Sequence, residues 1–146
     1  MEIKDDFLSI SQYEYIRNFA TVADYKYRHQ DQVMTGTLDD KGISFFPKEI
    51  NGRKYVRHQI NCYTPRSLAV FHTDLYADEE SCLTLVYYIC PTYDLDEGGW
   101  TEIFVNDEIT SIRPMCNRAL IFDGGLFHRA TPYRSYPRFS VGIKYI

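Results

Sequence analysis

The last nine residues, Arg138-Phe139-Ser140-Val141-Gly142-Ile143-Lys144-Tyr145-Ile146, constrain the fold more than any other stretch. Side chains along a strand alternate between its two faces. Phe139, Val141, Ile143 and Tyr145 therefore share one wholly apolar face, which must pack on a helix or an opposing sheet. Arg138, Ser140 and Gly142 share the other face. A cation, a hydroxyl and a residue without a side chain suit a hollow interior that receives an anion, with the guanidinium forking onto a carboxylate.

The chain ahead of this strand reads as a series of short strands. Residues 55–63 form one, ahead of a Thr64-Pro65 turn, and 67–74 the next. Residues 82–89 are a near-continuous run of apolar, β-branched and aromatic side chains, the signature of a buried strand, stopped at Pro91. Residues 101–105, a short segment at 109–114, and 118–123 before Gly124-Gly125 follow. Roughly seven short strands with turns every 8 to 12 residues suggest a sandwich or barrel. The 13 tyrosines suit such a β-rich chain.

The first third is different. Residues 1–10 read as a leading strand or extended arm. Ser11-Gln12-Tyr13-Glu14 has the form of a capping box. Tyr15, Ile16, Phe19 and Ala20 then place one apolar stripe on a helix running to about Ala23. Between residues 24 and 55 the sequence predicts loops with short strands. One such strand is 43–46, ended by Pro47, and Asn51-Gly52 is a strong hairpin signal. Loops of this kind often border an active site.

At 146 residues a single domain spanning 1–146 is expected. The net charge of -4 gives no drive toward nucleic acid or an anionic membrane. No apolar run reaches the ~18 residues of a membrane span. The acidic N-terminus has no apolar signal region, so a cytoplasmic protein is expected. Cys62, Cys82, Cys90 and Cys116 show neither CxxC pairing nor zinc spacing and read as buried small hydrophobes.

The chemistry-bearing residues lie in Phe71-His72-Thr73-Asp74 and Phe127-His128. On a strand, His72 and Asp74 point to one side. With His128 from a distant strand they supply two imidazoles and one carboxylate to one face of a metal, the triad of non-haem Fe(II) oxygenases. Singly, each residue is weak, since a His near an Asp is commonplace and Arg138 could sit in a surface ion pair. Their order and spacing together make the signal.

With these residues in view, the chain resembles the Fe(II)- and 2-oxoglutarate-dependent dioxygenases, specifically the prolyl-4-hydroxylase-like branch. The similar segments are His72-Thr73-Asp74, residues 83–88, Gly98-Gly99-Trp100-Thr101-Glu102, Pro114 with residues 117–123, Phe127-His128-Arg129 and Arg138-Phe139-Ser140. The resemblance implies a mainly β fold, the double-stranded β-helix (a cupin-like jelly roll), with the N-terminal helix packed outside. It places iron on His72, Asp74 and His128, and the 5-carboxylate of 2-oxoglutarate on Arg138 supported by Ser140. It suggests Tyr88, Tyr63 and Thr101 as further 2-oxoglutarate neighbours. Dioxygen is the implied oxidant, ascorbate a stimulant, and succinate and carbon dioxide the by-products of C–H hydroxylation.

A prolyl residue of a peptide or protein is the expected target. A free amino acid or other small metabolite is the alternative, and a catalytically silent jelly-roll binding module is a third reading. Many relatives in this branch carry Lys where this chain has Arg138. Nucleic-acid demethylases carry a second Arg six residues later, where this chain has Lys144, which argues against a nucleic-acid substrate. Halogenases replace the metal carboxylate with a small residue, so Asp74 favours hydroxylation. Tyr76, Tyr93, Trp100 and Tyr133 are candidates for a substrate groove.

Overall fold

The computed structural model describes residues 1–90 and 94–146, so Pro91 and Tyr93 lie outside the described residues. In chain order the elements are β1 (Glu2–Lys4), α1 (Ile10–Val22), β2 (Lys26–Arg28), β3 (Val33–Gly36), α2 (Asp40–Ser44), β4 (Glu49–Ile50) and β5 (Arg53–Tyr63). Then come β6 (Leu83–Ile89), β7 (Thr101–Val105), β8 (Glu108–Ile112), β9 (Ala119–Asp123), β10 (His128–Ala130) and β11 (Arg138–Tyr145).

β11 is the centre of the larger sheet, whose order is β1-β9-β6-β11-β5-β3-β2, with β4 paired to β5. The smaller sheet is β10-β7-β8. All the pairings are antiparallel. The parity of β11 is as the sequence predicts. Val141, Ile143 and Tyr145 are buried in the main core, with Phe139 packed against it. Ile60, Leu85, Tyr87 and Ile121 from neighbouring strands join them, and Ile16 and Ala20 of α1 cover the layer. A fully buried side chain of Ile16's size contributes on the order of 2 kcal/mol. A second apolar cluster, Tyr88, Ile103, Ile112, Leu120 and Phe122, draws on strands of both sheets. The polar face of β11 looks into the cavity between the sheets. This is a double-stranded β-helix with its first helix outside.

Several local readings need correction. The capping box is Ser9 with Gln12, so α1 starts at Ile10 rather than after Ser11. Both serines head an S-x-x-E/Q pattern, and tertiary contacts chose between them: Asn117 holds the backbone of Leu8 through both its side-chain atoms. Residues 43–46 do not form a strand, because Asp39 caps a helix by accepting from the Gly42 N–H at 2.8 Å. Residues 67–74 do not form a regular strand either. Their strand-like pairing with β10 is one isolated bridge, His72 to His128, beside which Arg129 reaches the Ala69 carbonyl and the Phe71 ring. The Asn51-Gly52 signal holds: both residues have positive φ, 51° and 77°, and join β4 to β5 as a two-residue hairpin loop.

Asn117 ties the N-terminal arm to the sheet. Its side chain accepts from Leu8 N–H (2.9 Å) and the Tyr87 hydroxyl (2.7 Å), donates to the Leu8 carbonyl (2.8 Å), and its backbone sits at φ 59°. Asn117→Ala leaves buried donors and acceptors unpaired and puts Cβ-bearing alanine in a left-handed position. The expected loss is on the order of 2 kcal/mol or more, read from urea midpoints. His58 fastens β5 to the turn before α2, its ring nitrogens meeting the Tyr55 hydroxyl (2.7 Å) and the Leu38 N–H (3.1 Å). Burial holds its pKa below the usual 6.5, against the pull of the Leu38 carbonyl and with help from Lys48. Between the folded value and 6.5 the unfolded chain binds the extra proton, so stability should rise with pH through that window. The slope should flatten in His58→Gln.

Candidate metal centre

His72 and His128 face each other across a short antiparallel bridge, each backbone N–H donating to the other's carbonyl at 2.9 Å. Asp74 N–H donates to the Gly124 carbonyl at 2.8 Å, which brings the carboxylate in beside them. One ligand atom from each of the three residues lies within 4.8 Å of the others. His72 Nε2 is 3.7 Å from Asp74 Oδ1, and His128 Nε2 is 3.5 Å from Asp74 Oδ2.

The far ring nitrogens decide what Nε2 can do. His72 Nδ1 is 3.0 Å from the Val70 carbonyl and His128 Nδ1 is 2.8 Å from the Leu126 carbonyl. A carbonyl only accepts, so each neutral ring carries its proton on Nδ1 and turns the Nε2 lone pair inward. Two lone pairs then face two carboxylate oxygens. Such a donor set is satisfied by a cation held among them, and three ligands on one face leave positions open for other groups.

Asp74 is fastened from three directions. Its carboxylate accepts from the Thr84 hydroxyl at 2.6 Å, and its backbone carbonyl accepts from Lys144 Nζ at 2.8 Å. Burial alone would raise its pKa, but once the imidazoles are protonated the hydrogen bond and charge of His128, with the Thr84 hydroxyl and the charge of His72, outweigh this and hold it at about 2. Gly124 matters for space: a Cβ there would stand 2.5 Å from Cys82 Sγ and 2.7 Å from Thr84 Oγ1.

Lys144 is 3% exposed. It bridges the Asp74 carbonyl to the Glu79 carboxylate and stands 4.0 Å over the Tyr76 ring, while Glu79 also accepts from the Tyr76 N–H. The loop 74–79 is thus pinned to β11 by one buried cation. In the sequence Lys144 stands out only as a departure from a second arginine. Its place on the same face as Arg138, Ser140 and Gly142 was the available signal.

Arg138 is completely buried. Nε donates to the Gly99 carbonyl (2.9 Å), Nη2 to Thr101 Oγ1 (3.1 Å), and Nη1 reaches Ser140 Oγ (3.4 Å). The guanidinium lies over the rings of Tyr63 and Tyr88, and the Tyr88 hydroxyl donates to Thr101 Oγ1 at 2.7 Å. Among the described residues no carboxylate lies within 4.0 Å of it. A buried charge held only by dipoles fits a site for an anionic ligand. Gly99 makes this possible: it has φ 74°, and a Cβ would meet the Tyr133 ring at 2.3 Å.

A cavity of about 530 Å³ joins the two centres. His72, Asp74, His128, Arg138, Ser140, Tyr63 and Thr101 all line it, and Tyr88 backs the guanidinium from behind. Tyr76 lines the cavity as well, whereas Tyr133 is 2% exposed, a core residue rather than a groove aromatic. Trp100 stacks with Arg113, apart from the cavity lining. Of the cysteines, Cys62, Cys82 and Cys90 are buried as expected, and Cys116 is half-buried with its Sγ 3.1 Å from that of Cys90.

The profile described as the 2OG-Fe(II) oxygenase superfamily matches residues 58–144. The chain belongs to this superfamily. Fe(II) and 2-oxoglutarate are accordingly its metal and co-substrate, and the donor set and the buried arginine fit them. A prolyl hydroxylase from Trichoplax adhaerens, solved with a hypoxia inducible factor peptide fragment, superposes with TM-score 0.75 at 17% identity. The match covers 99% of this chain and 82% of that one. A Pseudomonas putida prolyl-4-hydroxylase gives TM-score 0.77 at 14% identity, covering 99% and 90%. HygX from Streptomyces hygroscopicus, solved with nickel, 2-oxoglutarate and hygromycin B, gives 0.70 at 9%, covering 98% and 81%. At these identities the likeness is one of fold. No curated protein matches the chain by sequence. Among the described residues no helix is long and apolar enough to cross a membrane.

Loss of the Lys144 clamp should be felt at the metal. In Lys144→Met the Glu79 carboxylate loses its cation and the Asp74 carbonyl its donor. Equilibrium binding of Ni(II) to the oxygen-free protein should weaken by about 10- to 100-fold, the usual effect of removing an outer-shell partner, with Lys144→Arg closer to the parent.

Proposed function

We propose that this chain, acting as one domain, hydroxylates a C–H bond of a prolyl residue in a peptide or protein, using Fe(II) and 2-oxoglutarate and releasing succinate and carbon dioxide. The observation that carries the reading is a pair of complementary sites in one cavity: lone pairs converging at His72, Asp74 and His128, and a buried Arg138 with no carboxylate within 4.0 Å among the described residues. In this reading the triad holds the iron. Arg138 forks onto the 5-carboxylate of 2-oxoglutarate with Ser140 beside it. Thr101, Tyr63 and Tyr88 fix the guanidinium in place, which sets the co-substrate's reach toward the metal. Bound iron with 2-oxoglutarate supplies the oxidising power that an unactivated C–H bond requires.

The protein's own work is geometry and exclusion of water. Thr84 and Lys144 hold Asp74 against its neighbours, and the Val70 and Leu126 carbonyls keep both imidazoles turned the right way. The His72 side chain is 47% exposed, so the metal position lies at the cavity mouth, where a residue of a longer chain can reach it. The prolyl hydroxylases with the same fold favour this target. A free amino acid or other small metabolite is the second reading, favoured by the polar side chains of Arg57, Gln59 and Asn61 along the cavity and by the likeness to HygX, solved with a small molecule bound. We place the protein in a reducing, cytoplasmic compartment on its four free thiols. Dioxygen is the oxidant, and nucleic acid is not a partner.

The test is anaerobic. Fe(II) and 2-oxoglutarate added to the purified protein should give a visible metal-to-ligand charge-transfer band, and His72→Ala and Arg138→Ala should each weaken it. Admitting oxygen should yield iron-dependent succinate. Absence of the band from well-folded protein would sink the oxygenase mechanism and leave a silent binding module.

A further inference from the structure

The cavity wall continues beyond the metal. β5 and β11 pair so that their inward residues lie opposite each other: Tyr63 with Arg138, Asn61 with Ser140, Gln59 with Gly142, and Arg57 with Lys144. All eight line the cavity. Arg138 and Arg57 therefore mark opposite ends of one wall, six residues and roughly 20 Å apart along the strands. The metal ligands stand nearer the Arg57 end, since Asp74 is fastened to Lys144 and to Thr84, which itself pairs with Lys144 across β6. Co-substrate anchored at Arg138 approaches the metal from one side. The space on the Arg57 side is left for the molecule to be oxidised.

The charges on that side are unequal. Five cationic side chains line the cavity apart from the histidines. Arg28 is paired with Asp31, Arg129 with Glu102, and Lys144 with Glu79. Arg138 is taken by the co-substrate in the proposed function. Among the described residues Arg57 has no carboxylate within 4.0 Å; its charge reaches Glu79, but that carboxylate is held by Lys144. Its guanidinium lies 5.2 Å from the centre of the Tyr76 ring, and Tyr76 is itself pinned through Glu79 and Lys144. Arg57 is exposed at this end of the cavity, and the ring beneath its guanidinium narrows the positions the fork can take. Next along the strand, the Gln59 amide donates to Asn61 Oδ1. That leaves the Asn61 amide N–H and the Gln59 carbonyl for a bound molecule. Gly142 opposite them has no side chain to fill the space.

We propose that Arg57, stacked on Tyr76 and flanked by the Gln59 and Asn61 amides, is a carboxylate subsite for the substrate. The substrate accordingly carries an anionic group close to the carbon it presents to the metal. The inference rests on the proposed hydroxylase reading and narrows its substrate class. The same chemistry has two sources, the α-carboxylate of a free amino acid and an acidic side chain beside a prolyl residue in a peptide.

The experiment uses the anaerobic Fe(II)–2-oxoglutarate form, whose charge-transfer band reports that the hydroxylase site is intact. It is titrated with two probe sets while band perturbation is followed. One set is the twenty free L-amino acids against their C-amides. The other is N-acetylated, C-amidated peptides with proline flanked by Glu, against the same peptides with Gln. In one of the two sets an acidic probe should bind about tenfold or more tightly than its amide partner. Arg57→Gln should erase the difference and Arg57→Lys restore part of it, with the band retained in both. Response in the amino-acid set identifies a free acid, and response in the peptide set an acidic peptide. An acid preference that survives Arg57→Gln, equal binding of acid and amide, or no binding of any probe while the band is intact each overturns the subsite. Absence of the band in the parent protein instead overturns the hydroxylase reading itself.

Discussion

One buried charge organises this molecule. Arg138 lies at the start of the central strand with no exposed surface, and dipoles alone surround it: the Gly99 carbonyl, two hydroxyls and two aromatic faces. Burying an ion without a counter-ion costs several kcal/mol even after relaxation. The fold accepts that cost by holding every N–H it can and leaving one side of the fork toward a cavity. The close approach of Gly99 to Tyr133, the Tyr88–Thr101 hydrogen bond and the parity of β11 all serve that arrangement. An anion bound there stabilises the folded state as well as preparing the chemistry, because binding and stability are linked.

The candidate metal ligands are held in a different way. His72 and Asp74 do not stand on a regular strand. Their segment leaves the larger sheet after Tyr63, meets the smaller sheet at the bridge to His128, and is hydrogen-bonded to Gly124 at the end of β9. Such a segment has little register of its own, so side-chain clamps supply the missing rigidity. Thr84 grips the carboxylate and Lys144 the carbonyl behind it, and both come from paired positions on β6 and β11. The rigid sheet thus fixes a candidate ligand that the loop carries, while the loop leaves His72 half-exposed at the edge of the cavity.

How far the sequence could be read depended on the range of each interaction. The Asn51-Gly52 turn, the alternation of β11 and the stripe of α1 are local signals, and each appears where the sequence places it. The His-x-Asp spacing brought two ligands together although the strand expected beneath them is absent. A bend can aim i and i+2 side chains at one point as well as a strand can. The choice between Ser9 and Ser11 as cap turned on the distant contact with Asn117, and near Asp39 the local cap on Gly42 is reinforced by the distant Tyr15 hydroxyl. Two local patterns of equal quality were available, and packing selected one.

By itself the sequence determined which side chains share a face, because strand and helix periodicities are properties of the backbone. It therefore fixed the polar and apolar faces of β11 and, through its motifs, the set of groups that can meet at a metal and an anion. Tertiary structure alone decided what those groups do to one another. Pairing β11 between β5 and β6 set Lys144 against Asp74 and Glu79 and, among the described residues, left Arg57 and Arg138 with no carboxylate within 4.0 Å. Charge partners are a matter of distance in space, and chain separations of 65 to 70 residues, as between Lys144 and Glu79 or Asp74, carry no local signature.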